Sequence, residues 1–336
     1  MEMKVRNKRQ GGLLGMYLIM ALFAMTACTA CGCAFVNVSL FQPALPLEEK
    51  VIEGEGPGKV LVIDVSGVLS YEEQRRASAF KEEINLVARV KEELEKASED
   101  DEIKALILRI QSPGGTVNAS DLLYYEIMQF KKERHVKVVA CFLGIATSGG
   151  YYVATAADHI FAQPTTLTGS IGTIAIKFNV QGLMEKIGVE EETVKSGGKK
   201  DIWSPFRPST EEEKKILQSI IDEYQDKFLQ VVQSGRRSIT EADLALVKDG
   251  RIFSGPQALK VHLVDQLGYL QDAVQWARSS IGMKQAKVVV YHRPGTYVNN
   301  IYSLSKAGEW SWAEQLDRGE LLHRRQAWRF MYLWLP

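Results

Sequence analysis

One apolar stretch and the turn that follows it restrict the fold of this chain more than any other feature. Residues 136–143 are almost entirely apolar and predict a buried strand. The strand leads into Ala146–Gly150, where Ser148 precedes two glycines, and a helical pattern begins near Tyr151. Paired glycines let the backbone turn sharply and approach other groups closely. The stretch therefore predicts a strand, a tight turn and a helix, with a serine at the turn.

A serine at a strand-to-helix turn has two interpretations. Its hydroxyl can project at the sheet edge beside the free N–H groups of the helix start, which suits a nucleophile and an oxyanion. Alternatively, the turn is an ordinary glycine-rich connection without chemistry, since a short motif is weak evidence by itself.

Short apolar runs and helical patterns alternate along the chain and predict an α/β fold with a parallel sheet. The predicted strands are 60–65, 104–110, 159–162 and 188–194; the predicted helices are 78–97, 119–132 and a long helix after the capping box at Thr210. The 41 basic and 41 acidic residues balance, which gives no support for a nucleic-acid partner. We expect no metal and no cofactor, because the body has no Cys/His cluster and no phosphate loop.

The N-terminus predicts export. Basic residues lie at positions 4, 6, 8 and 9, and residues 13–27 carry no charge and are mostly apolar, as in an export signal. Met25–Cys28 and Ala30–Cys33 both resemble a bacterial lipobox. Either the closing cysteine of one of them, Cys28 or Cys33, is lipidated after the leader is removed, or the run stays as a transmembrane anchor. Both alternatives make membrane lipid a partner and put the body on the extracytoplasmic side of a bacterial cytoplasmic membrane.

Four segments follow from these patterns. They are a signal or anchor at 1–36, a linker rich in proline and glycine at 37–58, a folded domain at 59–283 and a C-terminal extension at 284–336. The last stretch, 321–336, mixes arginines with aromatic residues. That mixture suits a membrane interface, or a terminal segment packing on its own domain.

A serine hydroxyl needs a base before it can attack. None of the five histidines lies in a convincing context, and a buried lysine is the other choice, because desolvation lowers its pKa. Lys199 and Lys200 both follow a glycine pair, although surface lysines are usually solvated. The amides of Gly114 and Gly149 are candidates for an oxyanion hole. Ser170, in a third glycine-framed loop, is a candidate for orienting the base.

Together these loops resemble the signal peptide peptidase A family, in its short single-repeat bacterial form. The likeness runs from about residue 59 to 277 and is carried by Ser112–Gly115, Ala146–Tyr152, Thr168–Gly172, Ser196–Asp201, Asp249–Arg251 and Gly255–Gly268. The resemblance implies a serine peptidase with a Ser/Lys dyad. It implies Ser148 as nucleophile and Lys200 as general base, with Lys199 in its place if the loop shifts by one residue. Ser170 then orients the lysine.

The resemblance also implies a ClpP/crotonase-like parallel β spiral flanked by helices, oxyanion amides from Gly114 and Gly149, and a homo-oligomer. ClpP peptidases share the Ser-Pro-Gly-Gly turn but use a histidine; here that region holds Thr173, and no histidine lies between His159 and His262. The expected function is a membrane-bound endopeptidase that hydrolyses remnant signal peptides, and misfolded exported segments as further substrates. The alternatives are a crotonase-like acyl-CoA enzyme and a catalytically silent membrane scaffold.

Overall fold

The computed structural model describes residues 45–71, 84–303 and 330–335, and in this part of the chain the fold is α/β. The strands are β1 (Glu48–Glu53), β2 (Lys59–Ser66), β3 (Ile103–Ser112), β4 (Gly114–Thr116), β5 (Lys137–Thr147), β6 (His159–Ala162), β7 (Leu167–Gly169), β8 (Ile174–Ala175), β9 (Ile252–Ser254), β10 (Gln266–Leu267), β11 (Lys287–His292) and β12 (Phe330–Leu333). The helices are α1 (Leu86–Ser98), α2 (Val117–Arg134), α3 (Gly149–Ala154), α4 (Gln181–Lys186), α5 (Glu211–Gly235), α6 (Glu241–Val247), α7 (Gly255–Lys260) and α8 (Leu270–Ser280).

The main sheet is mixed, with a parallel centre. Within the described residues it has nine strands, ordered β1-β11-β2-β3-β5-β6-β10, with β7 pairing with β5 and β9 pairing with β7. The pairs from β11 through β10 are parallel, whereas β1 and β9 pair in the antiparallel sense. A second, smaller sheet has the order β4-β12-β8. The predicted parallel α/β core is confirmed, and the antiparallel edges are added to it.

The core lies on both faces of the main sheet. On β2, Leu61 and Ile63 belong to one apolar cluster with residues of α1 and α2. The alternate residues Val60 and Val62 belong to a second cluster with residues of α8. Parallel strands covered on both faces are apolar at successive positions. This is why the central strands stand out in the sequence as continuous apolar runs.

Several predicted boundaries differ from the structure. β1 lies inside the predicted linker 37–58, and β11 and β12 lie inside the predicted extension 284–336, so both segments contribute strands to the folded body. β1 is a sheet edge with four charged residues among its six, and it lacks the apolar run that marks a central strand.

The predicted strand at 188–194 is wrong. These residues are irregular and exposed, and Val194 is 94% exposed, so the segment has neither the pairing nor the burial of a strand.

The predicted anchor, 1–36, lies outside the described residues. In the ranges 45–71, 84–303 and 330–335, no helix combines the length and apolarity that crossing a bilayer requires.

Candidate active site

Ser148 lies at the junction of β5 and α3 in a strained backbone conformation. Its φ is 54° and its ψ is −118°, a region that costs a non-glycine residue about 1–3 kcal/mol. Its N–H donates to the carbonyl of Gly169 (2.8 Å), and its carbonyl accepts from the N–H of Tyr152 (2.9 Å). The residue is fully buried, and its Oγ has no hydrogen-bond partner among the described residues. The main chain therefore holds an unpaired hydroxyl at the carboxyl end of the sheet.

The glycines after Ser148 are required by close approaches of other groups. A Cβ on Gly149 would lie 2.3 Å from Oγ of Ser120 and 3.1 Å from the carbonyl oxygen of Tyr332. A Cβ on Gly150 would lie 2.8 Å from the carbonyl oxygen of Ser112. The glycine pair thus brings the turn against the loop that ends β3.

That loop places Gly114 beside Gly149. Gly114 has a φ of 103°, and a Cβ there would lie 2.8 Å from the backbone nitrogen of Gly149. Oγ of Ser112 donates to the carbonyl of Gly67 (2.7 Å) and accepts from the N–H of Gly114 (3.1 Å). The two predicted oxyanion residues are therefore neighbours, and the amide of Gly114 is engaged by Ser112 in this structure.

The C-terminal strand β12 lies over these glycines. Tyr332 pairs with Gly115 and Leu333 with Gly114, and the N–H of Trp334 donates to the carbonyl of Pro113 (2.9 Å). The other edge of β12 pairs with β8. The carbonyl oxygen of Tyr332 lies 2.0 Å from the position of a Cβ on Gly114. An extended segment of this chain thus fills a groove with one of its carbonyls next to the candidate oxyanion hole.

A deep aromatic pocket holds the side chain of Tyr332. Its ring is fully buried, 5.2 Å from the ring of Tyr152 and 4.6 Å from that of Phe228. Its hydroxyl donates to the carbonyl of Tyr224 (2.7 Å), and burial raises its pKa. The pocket accommodates a large side chain that is apolar except at its tip.

The two serines of the candidate site are buried, whereas Lys199 and Lys200 are exposed. Ser170 is 9% exposed and follows Gly169, the residue that binds the N–H of Ser148, so the two serines are joined across the β5–β7 pair. Lys199 donates to Glu212 (2.5 Å), and Lys200 is exposed. Since Oγ of Ser148 has no partner among the described residues, the structure of one chain does not bring either lysine to it.

Comparison with known proteins assigns the chain to a family. The family model described as peptidase family S49 matches residues 130–284, and the Clp protease model matches 75–168. The chain is 35% identical over 263 residues to a protein of Enterococcus faecium named as a signal peptide peptidase SppA, covering 78% of this chain and 75% of that protein. The chain belongs to peptidase family S49.

A plant relative is consistent with this family. The chain is 33% identical over 216 residues to the chloroplastic serine protease SPPA of Arabidopsis thaliana, covering 63% of this chain and 32% of that protein. A solved structure of a ClpP1 mutant from Listeria monocytogenes matches at 16% identity and a TM-score of 0.40, covering 63% of this chain and 94% of that chain. This S49 member is a serine peptidase with an α/β, ClpP-like fold.

The S49 match spans the residues singled out from the sequence except Gly114, which lies before it. Ser148, Ser170 and both lysines fall within 130–284, and their individual roles stay predictions. His159 offers no alternative base within one chain, because it pairs with Val139, nine residues before Ser148 along β5. At ~3.3 Å per residue that separation is about 30 Å.

One part of the site escaped the sequence analysis. For residues 321–336 the sequence allows either a membrane interface or packing on their own domain, and in the described part, 330–335, the structure shows the packing. Aromatic residues alternate at 330, 332 and 334, and such a period of two is a strand signal that was available in the sequence.

Proposed function

We propose that this S49 peptidase hydrolyses released signal peptides, with Ser148 as nucleophile and Lys200 as general base. The observation that carries the proposal is the buried, unpaired Oγ of Ser148 at a strained turn beside Gly114 and Gly149. A hydroxyl without a partner is costly to bury, and one that lies at a strained turn beside two candidate oxyanion residues is suited to be a nucleophile. Residues 1–36 would tether the enzyme, with its body on the extracytoplasmic side of the bacterial membrane.

The groove that β12 occupies supports a peptide substrate. A substrate strand would pair with β4 and β8 as β12 does, which is recognition by strand addition. The carbonyl at the position of Tyr332 would face Gly114 and Gly149, and the side chain of the same residue would enter the aromatic pocket. Signal peptides have an apolar stretch of about 7–15 residues, which suits such a pocket. Substrate binding would require β12 to leave.

We infer that the lysine comes from a second copy of the chain. Lys200 is exposed in one copy, and the serine in the same copy lacks a base. The segment around the lysines also exposes large apolar side chains: Phe178, Leu183, Ile187, Val194 and Phe206. Such a patch is typical of a protein interface. Burial against a second copy would cover this patch and desolvate the amine, which keeps it neutral at working pH.

In the completed site the steps follow serine peptidase chemistry. The neutral amine of Lys200 takes the proton of Ser148 as its Oγ attacks the scissile carbonyl. Backbone amides of Gly149 and Gly114 would stabilise the oxyanion, the latter after it turns away from Ser112. The ammonium then protonates the leaving amine, and water hydrolyses the acyl-enzyme by the reverse route. Ser170 would accept or donate a hydrogen bond that orients the lysine.

Mixing two inactive variants tests both the dyad and its shared construction. Ser148→Ala and Lys200→Ala should each lose hydrolysis of a synthetic signal peptide and labelling by a fluorophosphonate. Mixed oligomers, obtained by co-expressing the two with different tags, should regain hydrolysis, because one variant supplies the lysine and the other the serine.

The control outcomes separate the parts of the proposal. Full activity in Lys200→Ala, with Lys199→Ala inactive, would move the base by one residue. If the mixed oligomers are inactive while the wild type is active, Ser148 and Lys200 of one active site come from the same chain. Labelling of Ser148→Ala at another serine would reject the nucleophile.

A further inference from the structure

The loop that carries both lysines has little regular structure, yet one guanidinium ties it together. Arg207 donates from Nε to Oδ2 of Asp201 (2.8 Å) and from Nη2 to Oδ1 of the same carboxylate (2.8 Å). The same side chain donates to both carboxylate oxygens of Glu213, at 2.6 and 2.9 Å. A guanidinium can bridge two carboxylates in this way because its donors form a rigid planar fork.

One arm of this bridge holds the residue next to the proposed base. Besides its two side-chain contacts to Arg207, Asp201 accepts from Lys195 (2.7 Å). Its backbone carbonyl accepts from Nη2 of Arg207 (3.0 Å) and from the N–H of Ser204 (2.8 Å). Both the side chain and the main chain at position 201 are therefore held, which restricts the direction in which Lys200 leaves the loop.

The other arm reaches the rigid body of the protein. Glu213 is 1% exposed and forms the capping box of α5 with Thr210, whose N–H donates to its Oε2 (2.9 Å). Farther along α5, Phe228 and Val232 are fully buried in the core. The bridge through Arg207 thus links an exposed loop to a helix anchored in the core.

A second contact ties the same loop to the groove. Nζ of Lys177, two residues after β8, donates to the carbonyl of Arg207 and to Oγ of Ser209, both at 2.9 Å. Burial and the charge of Arg207 lower the pKa of Lys177. Trp203, also on the loop, contacts Phe330 of β12 edge to face, with ring centroids 5.5 Å apart. The loop thus has a defined position beside the strand that fills the groove.

We propose that Arg207 is a positioning residue, which holds the loop against α5 and β8 and thereby fixes where Lys200 can reach. The proposal rests on the proposed function, since it assumes that Lys200 is the base. A base that is displaced by about 1 Å can lose about 10²-fold in rate. Without the bridge, the loop would sample many conformations and the amine would rarely meet the serine hydroxyl.

The bridge also sets the charge beside Lys200. The charged side chains that form the hydrogen bonds of this loop are Lys177, Lys195, Lys199, Asp201, Arg207, Glu212 and Glu213. The exposed carboxylates of Glu190, Glu191 and Glu192 precede the loop. The positive charges of Arg207 and Lys195 together balance the negative charge of the Asp201 carboxylate. If Arg207 is removed, only Lys195 balances the negative charge of Asp201. The remaining negative charge then favours the ammonium form of the adjacent Lys200.

Arg207→Ala should therefore change two measurements. We expect kcat/KM for a signal peptide to fall about 10²-fold. The pH at which kcat/KM reaches half of its plateau should rise, because a positive charge is removed from the loop that carries the base. Arg207→Ala combined with Asp201→Asn should return the pH profile toward that of wild type while the rate stays low. A purely structural role would not produce that separation.

Matched variants keep the test decisive. Arg134→Ala removes a half-buried arginine at the end of α2 that pairs with Asp101, just before β3 and outside the lysine loop, and both measurements should stay unchanged. Arg207→Lys retains the charge but cannot bridge two carboxylates, so its rate should fall between those of wild type and Arg207→Ala. If Arg207→Ala does not assemble, Arg207→Lys and Asp201→Asn decide the question.

Wild-type rates and pH profiles in these variants would overturn the positioning role. A fully active Lys200→Ala would instead reject the base assignment of the proposed function, so the two failures can be told apart.

Discussion

The turn that carries Ser148 and the loop that carries Lys200 are held by different forces. Ser148 is fully buried, and backbone hydrogen bonds to neighbouring strands and helix fix its position. Lys200 lies on an exposed loop, where ion pairs between side chains replace regular secondary structure. The nucleophile is thus built into the sheet, whereas the candidate base depends on charges at the surface.

This difference indicates that the lysine loop, rather than the serine turn, responds to salt and pH. Backbone hydrogen bonds in a buried sheet are insensitive to salt and to mild changes in pH. Exposed ion pairs weaken as salt screens them or as carboxylates are protonated. Under the proposed function, a single copy carries a ready serine without a base, so hydrolysis begins only after assembly.

The largest expected effect comes from adding a side chain at Gly114, beside the turn that carries Ser148. In Gly114→Ala, the new Cβ would lie 2.0 Å from the carbonyl oxygen of Tyr332 and 2.8 Å from the nitrogen of Gly149. It would also occupy a φ of 103°, which disfavours a side chain. We expect kcat for peptide hydrolysis to fall about 10²–10³-fold, as when an oxyanion donor is lost.

A glycine on the same sheet provides the control. Gly144 has open space around the position of its Cβ, so Gly144→Ala should keep wild-type turnover. Wild-type turnover in Gly114→Ala would show that the close contacts at this turn are not part of the catalytic geometry.

An intermediate effect is expected from removing the strand that fills the groove. A chain that ends at residue 329 lacks β12, which occupies the place proposed for the substrate. A tethered segment competes at a high effective concentration, so its removal should lower KM for a peptide by roughly tenfold. Steady-state kinetics with a synthetic signal peptide would measure this change.

Two point variants sharpen this test. Tyr332→Ala empties the aromatic pocket and should reproduce part of the decrease in KM, whereas Met331→Ala alters the half-buried neighbouring position and should have little effect. A higher KM after truncation would mean that β12 helps to bind the substrate.

The smallest expected effect is that of low pH, which should loosen the lysine loop and leave the Ser148 turn unchanged. Contacts to Arg207 lower the pKa of Asp201 and lower that of Glu213 to about 2. A lowered carboxyl pKa stabilises the loop above the ordinary value of 4.5, and this contribution disappears as the pH falls toward 2. The loop at 195–209 should therefore loosen over that range, while the turn at Ser148 stays closed.

Hydrogen exchange at the amides can follow this difference. After correction for intrinsic rates, protection of the N–H of Ser204, which donates to Asp201, should decrease between pH 4.5 and 2. Protection of the N–H of Ser148 should persist. Equal loss at both amides would mean that acid opens the whole body rather than the loop.

Much of the core could be predicted from the sequence because local pattern and burial agree there. The central strands are buried on both faces and therefore appear as apolar runs, and the capping box at Thr210 and Glu213 marks the start of α5. The turns at 114 and 149 can be predicted because they need backbone without a Cβ, although the oxyanion role of these two glycines stays a prediction.

Other features could not be predicted because they depend on distant partners. β1 is a charged edge strand, defined by its pairing with β11. The pairing of β12 with β4 joins residues at opposite ends of the domain, and nothing local to either strand encodes it. No sequence pattern marks Arg207 as important, because its contacts depend on two carboxylates, those of Asp201 and Glu213, that the folded loop brings together.

The sequence by itself determined the alternation of strands and helices, the glycine-framed turns and the family, because periodicity, steric demand and motif order are properties of the linear chain. Only the tertiary structure decided that Ser148 is buried without a base, that Lys200 is exposed, and that β12 lies in the groove. Burial and solvation arise from contacts between segments remote in sequence, and these contacts determine whether a hydroxyl or an amine is reactive.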